Sequence, residues 1–472
     1  MSDTTGGRVT QRPGASDGVA AGAPVGARTG VGAAESPGAS EVADVSPGGR
    51  LGLWQGTAFY VASVFGTGVL VLPGLAAAAA GPASILAVAL VFALSVPLAG
   101  TFAALASRYP DAGGIASYAR RAFGDTAARM AGYWFYFGIV IGAPIVATAG
   151  GNYVAAAIGL DRAWVPLISV TLVVVPLVVS WFGVRVAGWM QFVLVGLLLA
   201  VVAVVVAVTV PVASPTNFEP AFPHGAGGVL AAMTLFIWAF AGWEVGTHIA
   251  GEFKNPARTI PIATGIAVVI VGAAYLTLQV VTVAVLGDRA GDGAVPLLSL
   301  IDTTARGPGS VLVAAVTVLV TVGVFNSYLS AFGKLGAALG RDGDLPRFFA
   351  LGAAHGAIPR RSLLLTAGLV GVYWVIMLAL GMDLGWFISM HSVCMLSIYL
   401  VGSLAALRML RRFSAGWWMA LAAAALTAAL LATSWRSAAL AVAIALAAVV
   451  VTVVRRARVA RALRRALASP ER

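Results

Sequence analysis

The chain has 472 residues, 60% of them hydrophobic and 10% charged, with a mean hydropathy of +0.94 and a formal net charge of +12. Soluble domains carry about 25% charged residues, so this composition excludes a water-soluble globular protein and indicates one that crosses a membrane many times. Residues 1–49 are rich in Gly, Ala, Ser and Pro and poor in large apolar groups. Such a segment buries too little surface to fold alone, and it lacks the apolar run and cleavage site of a secretory signal. It is expected to be a disordered cytoplasmic tail.

From residue 50 onward, apolar windows of about 20 residues, the length that spans hydrocarbon, recur twelve times. They cover 53–80, 84–106, 130–157, 163–182, 186–211, 228–250, 262–286, 310–336, 362–381, 385–407, 415–433 and 436–454. The first reads SVFGTGVLVLPG at its centre, with Gly66, Thr67, Gly68 and Pro73. The sixth reads FIWAFAGWEVGTH, with Gly242, Gly246 and a single acid, Glu244. Hydrocarbon cannot satisfy unwound backbone, so an interrupted helix at membrane depth must line a cavity in protein. Two such interruptions in matching positions of two halves point to a transporter's binding site.

Spans one to five fill 50–211 and spans six to ten fill 222–410, each half opening on a broken helix. The last two, in 411–454, carry neither a break nor a membrane-depth acid, and 455–472 is a basic cytoplasmic tail. An odd number of spans per half inverts the second half once both breaks lie at one depth. The expected fold is therefore an all-α membrane protein of twelve helices, an inverted five-plus-five repeat with two peripheral helices.

With the N-terminus inside, 26 of the 30 Lys and Arg fall on the cytoplasmic side and only Arg162, Arg289, Arg306 and Arg436 outside. This positive-inside split places both termini in the cytoplasm and explains the net charge without nucleic acid. The terminal RRARVARALRRAL run suits either anionic lipid headgroups or a solvated topology anchor. Cys394 is the only cysteine, which excludes an internal disulfide, and the outer loops offer none for a disulfide-linked partner subunit.

Unwinding the first span around Val64, Gly66, Thr67 and Gly68 frees N–H groups beside a half-helix N-terminus, a setting suited to a carboxylate. Glycine lets a ligand approach the backbone, and a side chain at Gly68 is expected to fill the carboxylate position. Breaking the sixth span at Phe240, Ala241 and Gly242 frees carbonyls suited to an ammonium. Glu244 at membrane depth needs a partner, water or a proton, since an acid at a span centre costs roughly 2.5–3.5 kcal/mol. His248 follows it at i+4, within reach on one helix face. His391 in span ten reads as a satisfied packing histidine, the alternative being a residue that lines the path.

Several motifs carry a family resemblance. GTGVLVLPG, RYPDAGGIASYARRAFG (108–124), FIWAFAGWEVGTHIAGEFKNPARTIP and SYLSAFGKLGAALGRDGDLP (327–346) occur in this order over about three hundred residues. They resemble the amino acid–polyamine–organocation (APC) superfamily, and most of all the bacterial exporters of methionine and branched-chain amino acids. The resemblance implies a LeuT-like fold and an amino acid cargo in the cytoplasmic membrane. It also implies an aromatic gate at Trp238, with Trp243 and Phe240 as alternatives on other faces. In sodium-coupled relatives, hydroxyls at the positions of Ser327 and Ser330 help hold a cation, beside Asn326 at the substrate. Some proton-coupled relatives use a span-five lysine, which this chain lacks, so the coupling ion stays open between proton and sodium. The alternatives are an uptake permease, an exchanger whose cationic amine pairs with Glu244, or a sensor that binds without transporting. No H-E-x-x-H motif, membrane-embedded acid pair or Cys/His nucleophile arrangement occurs, so no enzyme activity, metal or cofactor is expected.

Overall fold

The computed structural model describes residues 51–110, 114–182, 188–248, 250–305, 307–352, 358–381 and 383–468. The expected tail over 1–49 lies outside them. Among the described residues the chain is helical, with one isolated β-bridge between Leu51 and Phe253. The helices run in order as α1 (Leu53–Val64), α2 (Gly68–Ala80), α3 (Ser84–Arg108), α4 (Gly114–Phe123), α5 (Asp125–Tyr133), α6 (Gly142–Ala157), α7 (Val165–Trp181) and α8 (Gly188–Thr209). There follow α9 (Gly225–Ala239), α10 (Val245–His248), α11 (Pro256–Leu286), α12 (Pro296–Ile301), α13 (Pro308–Arg341), α14 (Arg360–Ala379), α15 (Leu384–Met409), α16 (Ala415–Thr433) and α17 (Ala439–Ala468). Ten helical stretches among the described residues are long and apolar enough to cross a membrane.

Local chemistry sets the helix ends. α11, α12 and α13 begin on proline, whose missing N–H costs nothing in a first turn. Asp383 and Ser414 cap α15 and α16 by accepting from the amides of Trp386 and Trp417 at 2.7 and 3.3 Å. Gly81 and Gly287 end α2 and α11 in positive-φ conformations of 59° and 54°. Asn255 makes no side-chain cap to α11; its carbonyl accepts the Thr259 amide.

α1 packs on α11, α2 on α9, and α3 on both α9 and α11, while α13 packs on α6, α7 and α14. α7, α14 and α17 turn residues such as Val174, Val175, Val372, Val375, Val450 and Val453 outward, an apolar girdle that lipid covers. α17 runs unbroken past Val454 to Ala468. At its base, Arg129 of α5 donates to Asp344 at 2.7 Å and to Thr452, and Arg455 reaches the same carboxylate at 2.5 Å. This buried ion cluster fastens α17 to α5 and to the turn after α13.

Two features position the interior. α1 and α2 are separated by Phe65–Thr67, and α9 and α10 by Phe240–Glu244. Between α5 and α6, Trp134–Gly138 forms a π-helical turn closed by the Ile139 amide on the Trp134 carbonyl at 3.1 Å. Such wide turns misalign the following carbonyls and recur at functional sites. Tyr373 takes the Phe137 carbonyl at 2.9 Å, and Tyr328 takes that of Ile139.

Candidate functional site: a cavity between two helix breaks

A cavity of about 520 Å³ lies where the two breaks meet. Val64, Gly66, Thr67 and Gly68 line it from the first break, and Trp238, Ala241, Gly242 and Glu244 from the second. α5–α6 adds Phe135, Ile139, Gly142 and Val146; α13 adds Ser327, Tyr328 and Phe332; α15 adds His391 and Met395. The wall is largely aromatic and aliphatic, with few polar points.

The backbone at the breaks is where those points concentrate. The Thr67 amide makes no hydrogen bond among the described residues, and the Phe240 and Ala241 carbonyls accept none. The Ala241 and Trp243 amides are likewise unpaired among the described residues, so unpaired backbone groups gather at both breaks, although buried backbone groups are nearly always paired. A Cβ on Gly66 would meet nothing within 4 Å, so this glycine opens onto the cavity. A Cβ on Gly68 would lie 2.9 Å from the Tyr275 hydroxyl and 3.2 Å from the Ala239 Cβ. The expected filling of the ligand position by a Gly68 side chain is therefore corrected: that direction holds the packing of α2 on α9 and α11. Gly242 has φ +124° and a Cβ there would lie 2.5 Å from the Ser63 carbonyl, so the second break needs glycine twice over.

Glu244 is 3% exposed. Its Oε2 accepts the Tyr399 hydroxyl at 2.8 Å and the Gly242 amide at 3.1 Å, and that amide also lies 3.0 Å from the Tyr399 oxygen. The acid thereby ties α15 to the broken segment. Trp238 stands half-buried at the wall, its ring 6.4 Å from that of His391 and nearly perpendicular.

Not every expected residue reaches the cavity. Phe240 packs on Tyr275 at 5.2 Å in a cluster with Phe65 and Phe236, away from the lining. Trp243 is 1% exposed and buried in the bundle. Asn326 is buried beside the wall, whereas its neighbour Ser327 lines it. The side chains of His248 and Ser330 lie outside the described residues. The residues that sequence reasoning missed are the α5–α6 wall, Tyr328, Phe332 and Tyr399. Of these the aromatic run YWFYFG, followed by Gly142, left a trace in the sequence, and Tyr328 and Phe332 lie within the SYLSAFGK motif; Tyr399 left none. His391 was read as satisfied, but it makes no hydrogen bond among the described residues, and its Nδ1 is buried without a partner.

The cavity ends at Gly68 on the α2 side, with no later α2 residue in its lining. The Tyr153 hydroxyl of α6 donates to the Leu70 carbonyl at 2.7 Å and accepts the Leu297 amide of α12 at 3.1 Å. At the other end, Phe59, Ala62 and Ser63 of α1 line the cavity, so it extends along that helix.

A polytopic helical protein with a cavity between two broken helices is the architecture of a membrane carrier. Residues 51–461 match the family model described as amino acid permease, and the chain belongs to that family, within the APC superfamily. It is 29% identical over 369 residues to the uncharacterized amino acid permease YecA of Bacillus subtilis strain 168, covering 78% of this chain and 87% of that protein. It is 28% identical over 365 residues to the L-methionine/branched-chain amino acid exporter YjeH of Escherichia coli K12, covering 74% and 85%. It is 27% identical over 383 residues to a probable GABA permease of Pseudomonas aeruginosa, covering 76% and 78%. The family is one of transporters rather than enzymes, and the chain is a multi-pass membrane protein of it.

Proposed function

We propose that this protein is a secondary transporter of neutral amino acids in the cytoplasmic membrane, working by alternating access and exporting methionine or branched-chain amino acids. The observation that carries the reading is the unpaired backbone at two helix breaks that line one cavity, the Thr67 amide at the first and the Phe240 and Ala241 carbonyls at the second. A zwitterion brings the complement of both: a carboxylate for the amide and an ammonium for the carbonyls. The apolar walls then take an aliphatic or thioether side chain. The similarity to an exporter named for methionine and branched-chain amino acids supports that cargo. In this reading α1 with α2, and α9 with α10, are the broken first and sixth of twelve spans in the inverted repeat. The positive-inside charge supports an orientation with the α1 end of the cavity toward the cytoplasm. Glu244 and Trp238 serve as gate, and Ser327 with Ser330 is a candidate site for a coupling sodium.

The second reading is carriage of a cationic amine, because Glu244 also lines the cavity. Its Oε2 already accepts from both Tyr399 and Gly242, which commits that oxygen to the broken segment and favours neutral cargo. The test is flux of labelled methionine in liposomes holding the pure protein, with pH, sodium and counter-substrate gradients imposed singly. Saturable methionine flux competed by leucine and valine is expected. Binding without flux would make the protein a sensor, and flux of amines alone would promote the second reading.

A further inference from the structure

The most conspicuous unexplained group in the molecule is the imidazole of His391. It sits on α15, is 4% exposed, and lines the cavity. Its Nδ1 is buried with no partner, and no hydrogen bond to the other nitrogen forms among the described residues either. A neutral imidazole has one N–H donor and one acceptor nitrogen. Nδ1 is buried without its partner, which is unfavourable, and Nε2, which is not buried in this way, is the nitrogen left open to the cavity. Every residue around it makes this odd rather than incidental. Trp238 presents its ring at 6.4 Å, and a Cβ on Gly142 would lie 3.5 Å from His391 Nε2 and 3.4 Å from the Tyr328 hydroxyl. The Tyr328 hydroxyl cannot relieve it as a donor, because it donates to the Ile139 carbonyl. A packing role alone would be filled better by leucine or phenylalanine, which bury no polar atoms.

We infer that His391 reads the side chain of the cargo. It offers a hydrogen bond, in an otherwise apolar wall, to an amino acid whose largely apolar side chain carries one polar atom. This rests on the cavity being the cargo site, and it ranks the neutral amino acids that site takes: branched-chain side chains are held by the apolar wall alone, and those with one polar atom gain a hydrogen bond. Purely aliphatic side chains leave the imidazole unpaired, whereas a thioether, phenol or indole N–H satisfies it. The thioether is the weakest of these partners, since sulfur is a poor acceptor. Tyrosine and tryptophan join a large apolar body to one strong polar handle.

Two nearly isosteric pairs isolate that single atom: tyrosine against phenylalanine, and methionine against norleucine. The measurement is displacement of labelled methionine from the purified full-length protein in nanodiscs, for the wild type, His391→Leu and His391→Gln. In the wild type, tyrosine is expected to displace better than phenylalanine by about tenfold, the ratio for one paired against one unpaired polar group. Methionine should beat norleucine by a smaller factor. His391→Leu should abolish both preferences by weakening only the polar member of each pair, and His391→Gln should restore part of the tyrosine preference. Equal displacement within both pairs in the wild type, or preferences that survive in His391→Leu, would overturn the inference while leaving the cargo site intact. Failure of every amino acid to bind would instead reject the cargo site, and this inference with it. A His391→Leu protein that does not fold leaves the decision to the wild-type pairs, which need no variant.

Discussion

Two glycines, two positions apart, give the sharpest test of the cavity. Gly66 and Gly68 both border it, yet their missing side chains point differently. At Gly66 an added methyl meets nothing within 4 Å, so Gly66→Ala costs the fold little and its methyl projects where a ligand would approach the backbone. At Gly68 the methyl meets the Ala239 Cα at 3.3 Å and Cβ at 3.2 Å, and the Tyr275 hydroxyl at 2.9 Å. The tyrosine end can swing aside, but α9 backbone cannot. Overpacking of this kind costs about 1–3 kcal/mol. In Gly68→Ala that cost falls on stability, as a lowered thermal unfolding midpoint. In Gly66→Ala the clash arises only with ligand bound, so the same range appears as roughly a 5- to 150-fold loss of affinity. Unfolding midpoints and methionine displacement on the two purified variants separate these outcomes. Wild-type affinity in Gly66→Ala, together with lost affinity and an unchanged midpoint in Gly68→Ala, would refute the placement of the ligand beside Gly66.

Trp238→Ala should weaken cargo binding by about 0.5–1.5 kcal/mol through lost ring contact, roughly two- to tenfold in a displacement assay; unchanged affinity and flux would return Trp238 to plain packing. Glu244→Gln keeps the side-chain shape and an oxygen for Tyr399 but cannot change charge. It should still bind substrate while its flux loses most of its dependence on pH, and a wild-type pH profile would reject proton-linked gating by this residue. Tyr153→Phe removes both bonds at the α2 end and keeps the ring. In a Thr67→Cys background it should raise the rate at which an impermeant thiol reagent added outside reaches residue 67. Buried Cys394 is silent in this assay, and an unchanged labelling rate would discount Tyr153 as a seal.

The large features were legible because few physical solutions exist in hydrocarbon. Long apolar windows must be helices, and glycines inside two of them at matched places must break those helices against protein. Hence the breaks fall where SVFGTG and FAGWEV place them. What the sequence hid was which face each residue takes after a break. Past an unwound segment the helical phase is lost, so Gly68, Phe240 and Trp243 could not be assigned to cavity or packing by spacing. The wall from α5–α6 was hidden for a related reason: its π-helical turn shifts the phase within a span that reads as regular. Tyr399 and His391 lie two turns apart on α15, and nothing local marks one as the partner of Glu244 and the other as unpaired. Those roles are set by contacts with residues some 150 positions away, as in the Glu244–Tyr399 pair itself.

The α2 end of the cavity bears on how a carrier of this build would cycle. The Tyr153 hydroxyl spans three elements, joining α6 to the α2 backbone and to α12. Opening the α2 end requires both of its bonds to part, at a net cost of about 0.5–1.5 kcal/mol each. Together they hold the end shut by roughly 1–3 kcal/mol, a gap that still leaves the other state populated at roughly 0.6–16%. A latch of that size biases the cavity toward the α1 end without locking it there. A ligand with a modest preference for the alternative arrangement is enough to tip the balance, because it has only to supply the difference. The buried ion cluster at Arg129 and Asp344 is built differently. Separating the buried Arg129–Asp344 pair would strand a charge and cost about 3–5 kcal/mol, so the joint between α5 and the turn after α13 is expected to stay fixed in a transport cycle, with α17 held to it through Thr452 and the more exposed Arg455. In such a cycle neutral hydrogen bonds would hold the α2 end, where parts must move, and a buried pair of charges the joint that must not.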